Sequence, residues 1–270
     1  MKKKNILITG ASGSVGFEVF KELNSRKENF NIRVFSRNSK PDLSYEVNVE
    51  GTKRILKAIQ ASKINPLFIY TSSIAVYGDR LDNPLIKITD EVKPNDIYAE
   101  TKLKAEELIK DSKIDYLIFR LSYCFSIRSF KIDPLLFRVP LATSFEIIDA
   151  RDVALAMANA IEYNHLVNKT FILAGGKDCR ITYKKHLNNM FEIIGLGRNL
   201  LPEEAFAKGG FNCGFCRTEK LNEKLNYQHH NLKDFYKEIE DWIGYKKYFA
   251  SIFKWIIRKY LLSKSKYYKN

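Results

Sequence analysis

The sequence predicts an α/β fold in which a doubly wound parallel sheet is covered by helices on both faces. Short apolar runs alternate with amphipathic helical patterns along the chain, as in successive strand–helix–strand units. The first of these runs ends in glycine, as expected for a buried parallel strand. With 270 residues, of which 45% are hydrophobic and 28% charged, the chain suits one globular domain with an appended part, or two small domains.

The individual elements follow from the spacing of the apolar residues. Continuous apolar runs are interpreted as strands, and segments whose apolar residues return every three or four positions as helices. Thr182 is the expected cap of one of these helices. In chain order the prediction is a strand at 5–9, a helix at 15–27, a strand at 31–36, a helix at 48–62, a strand at 67–70, a helix at 98–112, a strand at 116–119, a helix at 149–163, a strand at 170–173 and helices at 182–194 and 232–242.

A glycine-rich segment, residues 9–16, lies between the first predicted strand and the first predicted helix. Gly10 permits a tight turn, Gly13 lets the backbone approach a pyrophosphate, and Gly16 allows close packing of the helix. The helix N-terminus adds free N–H groups and the positive end of the helix dipole. In this position the pattern predicts a dinucleotide-binding loop. The residues assigned to it are Gly10, Ser12, Gly13, Val15 and Gly16.

The end of the second predicted strand bears on the choice of dinucleotide. NAD-binding folds often place an acid there for the ribose hydroxyls, whereas an arginine suits a 2′-phosphate. Arg37 occupies this region. NADP is therefore slightly favoured over NAD, and a solvated arginine is the alternative interpretation.

Tyr98 and Lys102 are four residues apart on a predicted helix and therefore share one face. An ammonium beside a phenol is expected to lower the phenol's pKa from about 10, so that Tyr98 exchanges a proton with a substrate hydroxyl during hydride transfer. The spacing alone is not specific, because Tyr260 and Lys264 also have it.

Ser73 gives the Tyr98–Lys102 pair its context. It follows the predicted strand at 67–70, at the strand end where open α/β sheets bind their ligands. There it would orient a substrate oxygen by a hydrogen bond. A serine that only caps a turn is the alternative.

Four segments occur in the order found in the extended short-chain dehydrogenases/reductases: TGASGSVG at 9–16, NVEGT at 48–52, SSIAVYG at 72–78 and YAETK at 98–102. The chain resembles the NAD-dependent epimerase/dehydratase branch of that family, which includes nucleotide-sugar epimerases and dehydratases. The likeness continues through residues 148–154 to about Trp242.

The resemblance implies a function and a division of the chain. Residues 1–125 would form a Rossmann-like NAD(P)-binding domain, and residues 126–243 a smaller substrate-side region interleaved with it. Ser73, Tyr98 and Lys102 would be the catalytic set, and Asn48, Tyr98 and Lys102 would contact the cofactor. The implied activity is that of an NAD(P)-dependent oxidoreductase or epimerase acting on a hydroxyl or carbonyl, with a nucleotide sugar as the candidate small-molecule substrate.

The chain is shortened relative to that family. Only eleven residues separate Arg37 from Asn48, where relatives have a strand, a helix and a second strand. We expect the remaining strands to close the gap in the order 2-1-3-4-5, so that residues 6–9 pair with residues 68–70. This closure would crowd the cofactor. The alternative function is therefore a non-catalytic binding or regulatory protein with a weakened cofactor site.

The four cysteines do not suggest a disulfide framework or a metal site. Cys213 and Cys216 form a single CxxC, whereas a zinc site usually needs a second close pair of cysteines or histidines. Buried or incidental thiols are the favoured interpretation, and no metal is predicted.

Residues 244–270 carry eight lysines and arginines and no acid, which is +8 of the net charge of +14. They predict a basic amphipathic helix whose apolar face either lies at a membrane surface or packs on the domain; both alternatives stay open. Since the rest of the chain is only mildly basic, nucleic-acid binding is not expected. The cationic stripe comprises Lys247, Lys254 and Arg258, and the apolar face comprises Tyr248, Phe249, Ile252, Phe253, Trp255 and Ile256.

No run is long enough for a signal peptide's apolar core or for a spanning helix. The predicted location is therefore the cytoplasm, at the inner membrane surface if the tail binds lipid. A homodimer is an open alternative for the assembly.

Overall fold

The computed structural model describes residues 3–35, 45–62, 64–129 and 135–268. This part of the chain holds ten strands and nine α-helices. The strands are β1 Lys4–Thr9, β2 Phe30–Phe35, β3 Phe68–Ser73, β4 Leu85–Ile86, β5 Tyr116–Leu121, β6 Tyr123–Phe125, β7 Ser144–Asp149, β8 Lys169–Leu173, β9 Arg180–Thr182 and β10 Phe215–Cys216. The helices are α1 Ser14–Ser25, α2 Gly51–Ala61, α3 Ile97–Asp111, α4 Ala150–Ala160, α5 Tyr183–Ile194, α6 Glu219–Leu225, α7 Leu232–Ile243, α8 Lys246–Ile252 and α9 Lys254–Leu262.

The predicted α/β fold is confirmed, and every predicted strand and helix has a counterpart. β3, β5 and β8 form a parallel three-stranded sheet, in which Ser73 is level with Leu121 and Leu121 with Leu173. β6 pairs in parallel with β7, and β7 pairs antiparallel with β9. β4 pairs with β10. The carboxyl ends of β3, β5 and β8 therefore lie along one edge, where Ser73 ends the first of them.

The predicted pairing of residues 6–9 with residues 68–70 is wrong. β1 and β2 form a separate parallel pair, and in the described part of the chain β1 makes no hydrogen-bonded ladder with β3. The five predicted strands thus occur as a pair and a triplet, not as one sheet of order 2-1-3-4-5. The crowding of the cofactor expected from closure loses its basis.

Helix packing positions the β1–β2 pair. α1 packs against α4 through a core cluster that joins Ile8, Val19 and Leu23 to Ala154 and Ala158. Alanines on α4 let the two helices approach closely. The position of the β1–β2 pair is therefore set through its helix.

The predicted Tyr98–Lys102 pair lies on α3. Asp96 caps the N-terminus of this helix, and its carboxylate accepts a hydrogen bond from the Ala99 N–H (2.7 Å). Ala99, Ala105 and Ile109 are fully buried along one face, which packs the helix against the sheet. The predicted Thr182 cap is confirmed in α5, where its hydroxyl accepts from the Lys185 N–H.

The C-terminal tail forms two helices where the sequence predicts one. α8 and α9 meet at Phe253, whose backbone departs from helical geometry (ψ 16°). Leu261 and Leu262 are buried in a cluster with α5 residues. In the described residues no helix is long and apolar enough to cross a bilayer.

Candidate active site

The glycine loop connects β1 to α1 through a backbone that only glycine suits. Gly10 has a φ of +72°, and its N–H donates to the Phe35 carbonyl (3.2 Å). A Cβ on Gly16 would lie 2.3 Å from the Gly10 carbonyl oxygen, and one on Gly13 3.3 Å from the same oxygen. α1 then starts without a side-chain cap. The loop is a glycine-lined cradle at a helix N-terminus, which fits a pyrophosphate.

The other residues assigned to this loop differ in their surroundings. Ser12 is exposed at the tip of the loop. The side chain of Val15 packs into the core clusters between α1 and the sheet, so only its main-chain N–H faces the start of the helix. Arg37 lies outside the described residues, and the preference for NADP stays a prediction.

The structure brings Ser73, Tyr98 and Lys102 together. The Ser73 hydroxyl accepts from the Ala75 N–H (3.1 Å) and is hydrogen-bonded to the Tyr98 phenol. Lys102 Nζ donates to the Thr71 carbonyl (2.9 Å) and lies 5.8 Å from the centroid of the Tyr98 ring. Ser73 therefore caps a turn and also contacts the tyrosine; its role towards a substrate oxygen stays a prediction. Tyr98 keeps 44% of its surface exposed, although its hydroxyl is desolvated and hydrogen-bonded to Ser73.

The electrostatics of the pair differ from the sequence-based expectation. Desolvation of the phenol raises the pKa of Tyr98, and the hydrogen bond with Ser73 opposes this effect. Lys102 is itself desolvated, which lowers its pKa to about 8. The predicted lowering of the Tyr98 pKa by Lys102 is not found, because the ammonium is directed at the Thr71 carbonyl. At neutral pH Tyr98 is a protonated acid beside a cationic lysine.

Asn48 makes a contact that the sequence did not predict. It lies in a π-helical turn, Glu46–Glu50, before α2. Its Nδ2 donates to Thr101 Oγ1 (3.1 Å), and that hydroxyl donates to the Tyr98 carbonyl (2.8 Å). Besides the cofactor contact assigned to it, Asn48 thus braces the first turns of α3, where Tyr98 and Lys102 lie.

A buried ion pair fixes α3 against the sheet, and sequence reasoning missed it. Arg120 on β5 donates from Nε and Nη2 to the two carboxylate oxygens of Glu106 (2.9 and 2.7 Å). Arg120 also donates to the Tyr77 hydroxyl, and Ser72 donates to Glu106 (2.7 and 2.6 Å). Burial raises the pKa of Glu106, but the hydrogen bonds from Arg120 and Ser72 outweigh this effect and hold it below its usual value. An arginine inside an otherwise apolar strand was the available signal, since a buried charge needs a partner.

Residues on and just after β6 reach both the first turn of α1 and the surroundings of Tyr98. The Arg128 guanidinium, just after β6, stacks 3.6 Å from the centroid of the Phe17 ring in the first turn of α1. Cys124 on β6 is close enough to Tyr98 to affect the pKa of the phenol. Burial raises the pKa of the Cys124 thiol to about 12, which makes it unreactive. One short strand thus adjoins both parts of the site, and it brings a cation next to the helix N-terminus.

A glycine loop opening a helix beside a Ser–Tyr–Lys group defines a candidate dinucleotide-dependent α/β enzyme. The family model for the RmlD substrate binding domain matches residues 29–132. The chain is 38% identical over 76 residues to the N-acetyl-alpha-D-glucosaminyl-diphospho-ditrans,octacis-undecaprenol 4-epimerase of Escherichia coli O157:H7, a match that covers 27% of this chain and 21% of the relative. It is 30% identical over 88 residues to the dTDP-4-dehydrorhamnose reductase of Escherichia coli K12, covering 33% and 28%. The matched stretches thus span about a fifth to a quarter of the relatives' length.

Solved structures share the fold over most of the chain. RMD from Pseudomonas aeruginosa, complexed with NADPH, superposes with a TM-score of 0.73 at 15% identity, covering 88% of this chain and 98% of that one. UDP-glucuronic acid 4-epimerase from Bacillus cereus, in complex with NAD, gives 0.68 at 17% identity, covering 89% and 96%. At these identities the likeness shows the fold alone. Taken together, the matches bear out the resemblance: over part of its length the chain is similar in sequence to NAD-dependent epimerases and reductases, and it shares their fold.

Proposed function

We propose that this chain is an NAD(P)-dependent epimerase, dehydratase or reductase that acts on a hydroxyl or carbonyl of a nucleotide sugar. The observation that carries the proposal is the Ser73–Tyr98–Lys102 group at the carboxyl end of β3, where a partly exposed phenol is hydrogen-bonded to a serine. The names of the relatives support the substrate class, since they include a UDP-glucose 4-epimerase and a dTDP-sugar reductase. In this proposal residues 1–125 bind the dinucleotide and residues 126–243 the substrate.

The residues present fit a nicotinamide dinucleotide. The main-chain N–H groups at the start of α1 would bind the pyrophosphate, because Gly10, Gly13 and Gly16 leave the backbone accessible and no side chain caps the helix. Lys102, Tyr98 and Asn48 would lie towards the nicotinamide ribose. NADP stays the proposed preference, because Arg37 suits a 2′-phosphate. Of the related structures, one contains NADPH and another NAD.

In this proposal Tyr98 carries the proton chemistry. When bound, the dinucleotide would supply the hydride acceptor or donor. Because the pKa of Tyr98 is raised, the phenol is neutral at pH 7 and donates its proton to a substrate oxygen when a carbonyl is reduced. In the oxidative direction the phenol first releases its proton to solvent, and the phenolate, stabilised by the Ser73 hydrogen bond, then takes the proton of the substrate hydroxyl. Lys102 stays cationic below about pH 8 and adds favourable charge.

A second function, a binding or regulatory protein without turnover, is favoured by one observation. Among the residues that the structure describes, no strand ladder joins the β1–β2 pair, which carries the glycine loop, to the sheet that carries Ser73. A cofactor platform held only through helices and loops would bind the dinucleotide less tightly.

A matched pair of tyrosine variants tests the proposal. Tyr260 has the same four-residue spacing to a lysine as Tyr98 and is also exposed, but it lies in the tail. Three proteins are compared: wild type, Tyr98→Phe and Tyr260→Phe. Each is incubated with UDP- and dTDP-linked sugars and with each oxidised dinucleotide. The measured products are reduced nicotinamide and converted sugar. We expect turnover in wild type and Tyr260→Phe and none in Tyr98→Phe, with cofactor affinity retained in all three. Equal turnover in wild type and Tyr98→Phe would exclude the acid/base role; binding without turnover in wild type would support the second function.

A further inference from the structure

The C-terminal arm, defined as residues 244–268, has a surface that the proposed function does not use. Its inner side is anchored: Leu261 and Leu262 are buried in the α5 cluster, and Arg258 Nε donates to the Leu200 carbonyl (2.9 Å). The Ser265 hydroxyl donates to the carbonyl of Ala205. These contacts fix the orientation of α8 and α9, so their other side has a defined direction.

The outer side of the arm is aromatic, aliphatic and exposed. No residue of α8 is buried. Eight large apolar or aromatic side chains of the arm are each between 44% and 71% exposed, which is far more than the scattered exposure usual on a folded domain. The sequence left open whether this face packs on the domain, and the structure directs it to solvent. The eight residues are Tyr245, Tyr248, Phe249, Ile252, Phe253, Trp255, Ile256 and Tyr260.

Positive charge lies on the same surface. Residues 244–270 contain eight cations and no acid. Lys246 lies 5.0 Å from the centroid of the Trp242 ring, and Lys264 5.1 Å from that of Tyr260, so ammonium groups and rings are interleaved. Of the arm's lysines, Lys247 contacts an acid, Glu240 on α7 (3.4 Å). The surface is therefore both cationic and apolar.

We propose that the C-terminal arm docks the protein on an anionic lipid surface, with α8 and α9 lying in the headgroup region. Helices of 7 and 9 residues are about 10 and 14 Å long, too short to span a bilayer but suited to its plane. Tryptophan and tyrosine are favoured at headgroup depth, and the lysines meet the negative lipid charge. The inference is independent of the proposed catalytic activity.

Two other occupants fit the surface less well. An isologous contact with a second copy would bring the lysines of one arm against those of the other, which is unfavourable. A nucleic acid would satisfy the cations but offers no apolar phase for Phe249, Ile252 and Ile256. Only a lipid surface offers anionic groups and hydrocarbon together.

Flotation of the full chain with vesicles tests the inference. Vesicles of phosphatidylcholine alone are compared with vesicles containing equal amounts of phosphatidylglycerol and phosphatidylcholine. Ile252→Ser removes an apolar contact, and its control is Ile64→Ser, because both isoleucines are 68% exposed. Lys259→Glu reverses a charge of the arm, and its control is Lys220→Glu on α6, since both lysines are exposed.

We expect wild type to float with the anionic vesicles and to be released by salt. Ile252→Ser and Lys259→Glu should each weaken the partition coefficient about fivefold to tenfold, with no change in the two controls. Turnover of a soluble substrate without vesicles should be the same in Ile252→Ser and wild type. The inference is overturned if wild type does not bind anionic vesicles, or if Ile252→Ser behaves as Ile64→Ser does. A third outcome also overturns it: the protein does not bind vesicles, and Ile252→Ser abolishes self-association or RNA retention. The face would then bind a second copy or a nucleic acid.

Discussion

The two parts of the candidate site are built differently. Ser73, Tyr98 and Lys102 lie on β3 and α3, in a layer whose strands β3, β5 and β8 pair side by side and whose helix is held by the buried Glu106–Arg120 pair. We call this the catalytic layer. The glycine-loop unit, consisting of β1, α1 and β2, pairs only within itself in the described residues. It also exposes Leu7 and Phe35 (65% and 63%) on its strands.

The difference shows which features survive the shortening of the chain. Short motifs such as the glycine loop keep their local geometry, because a turn and a helix start need only neighbouring residues. Sheet continuity needs residues far apart in sequence, and within the described ranges no ladder connects β1 with β3. The glycine-loop unit is held through helix packing, aided by the hydrogen bond from Arg26 to Asn159 on α4 (2.8 Å). We therefore expect the catalytic layer to be the more stable part.

The largest expected effect comes from breaking the buried ion pair. Arg120→Met leaves the Glu106 carboxylate uncompensated in the interior and should lower the free energy of unfolding by about 3–5 kcal/mol. Arg26→Met breaks a partly exposed pair with Glu22 in the glycine-loop unit and should cost less than about 1 kcal/mol. Urea titration of both variants measures the contrast. Equal losses would mean that the two parts are equally dependent on their ion pairs.

Hydrogen exchange should show the next largest difference. In the absence of cofactor, amides of β1 should exchange at least about a hundredfold faster than those of β5, because β1 has one paired edge and a separate, smaller sheet. Mass spectrometry of peptides covering the two strands measures this. Similar rates in β1 and β5 would show that the two sheets open as one cooperative unit.

A graded glycine series tests the cradle. Gly16→Ala places a Cβ 2.3 Å from the Gly10 carbonyl oxygen, so the loop must shift, whereas Gly13→Ala meets the same oxygen at 3.3 Å. At Gly209 a Cβ has open space, which makes Gly209→Ala the control. Affinity for NADPH, measured by fluorescence, should fall about tenfold or more in Gly16→Ala, less in Gly13→Ala and not at all in the control. Equal affinities in all three would place the dinucleotide elsewhere.

The smallest expected effect is a pH dependence of cofactor affinity. The pKa of Lys102 is lowered to about 8, so below that pH the ammonium is charged and attracts the phosphates, and above it the amine is neutral. Affinity should therefore fall two- to fivefold, or about 0.5–1 kcal/mol, as pH rises through about 8. Titration in Lys102→Met should be flat over this range. A fall of the same size in Lys102→Met would assign the effect to another group.

The sequence predicted the parts of this site that depend on local spacing. The cradle of Gly10, Gly13 and Gly16 follows from a strand–turn–helix pattern, and the shared face of Tyr98 and Lys102 follows from four residues on a helix. The pKa of Tyr98 could not be predicted, because it depends on where the Lys102 ammonium is directed.

The features that the sequence did not predict depend on distant residues. Glu106 and Arg120 are on different elements, so their pairing has no periodic signal. The open side of β1 depends on how α1 meets α4, which strand counting does not reveal. The apolar pattern also gave no sign of the break at Phe253, because the pattern continues across it.

The account's central claim is that the glycine-loop unit and the catalytic layer bind one dinucleotide together. Hydrogen exchange of the full chain tests it, measured once with saturating NADPH and once with saturating NADH. In each sample both segments are followed together. Amides at residues 10–16 and at residues 98–102 should both exchange more slowly than in the free protein. Both segments should reach full protection at the same dinucleotide concentration. Slowing confined to the glycine loop, or no slowing at either segment with millimolar dinucleotide, would contradict the claim.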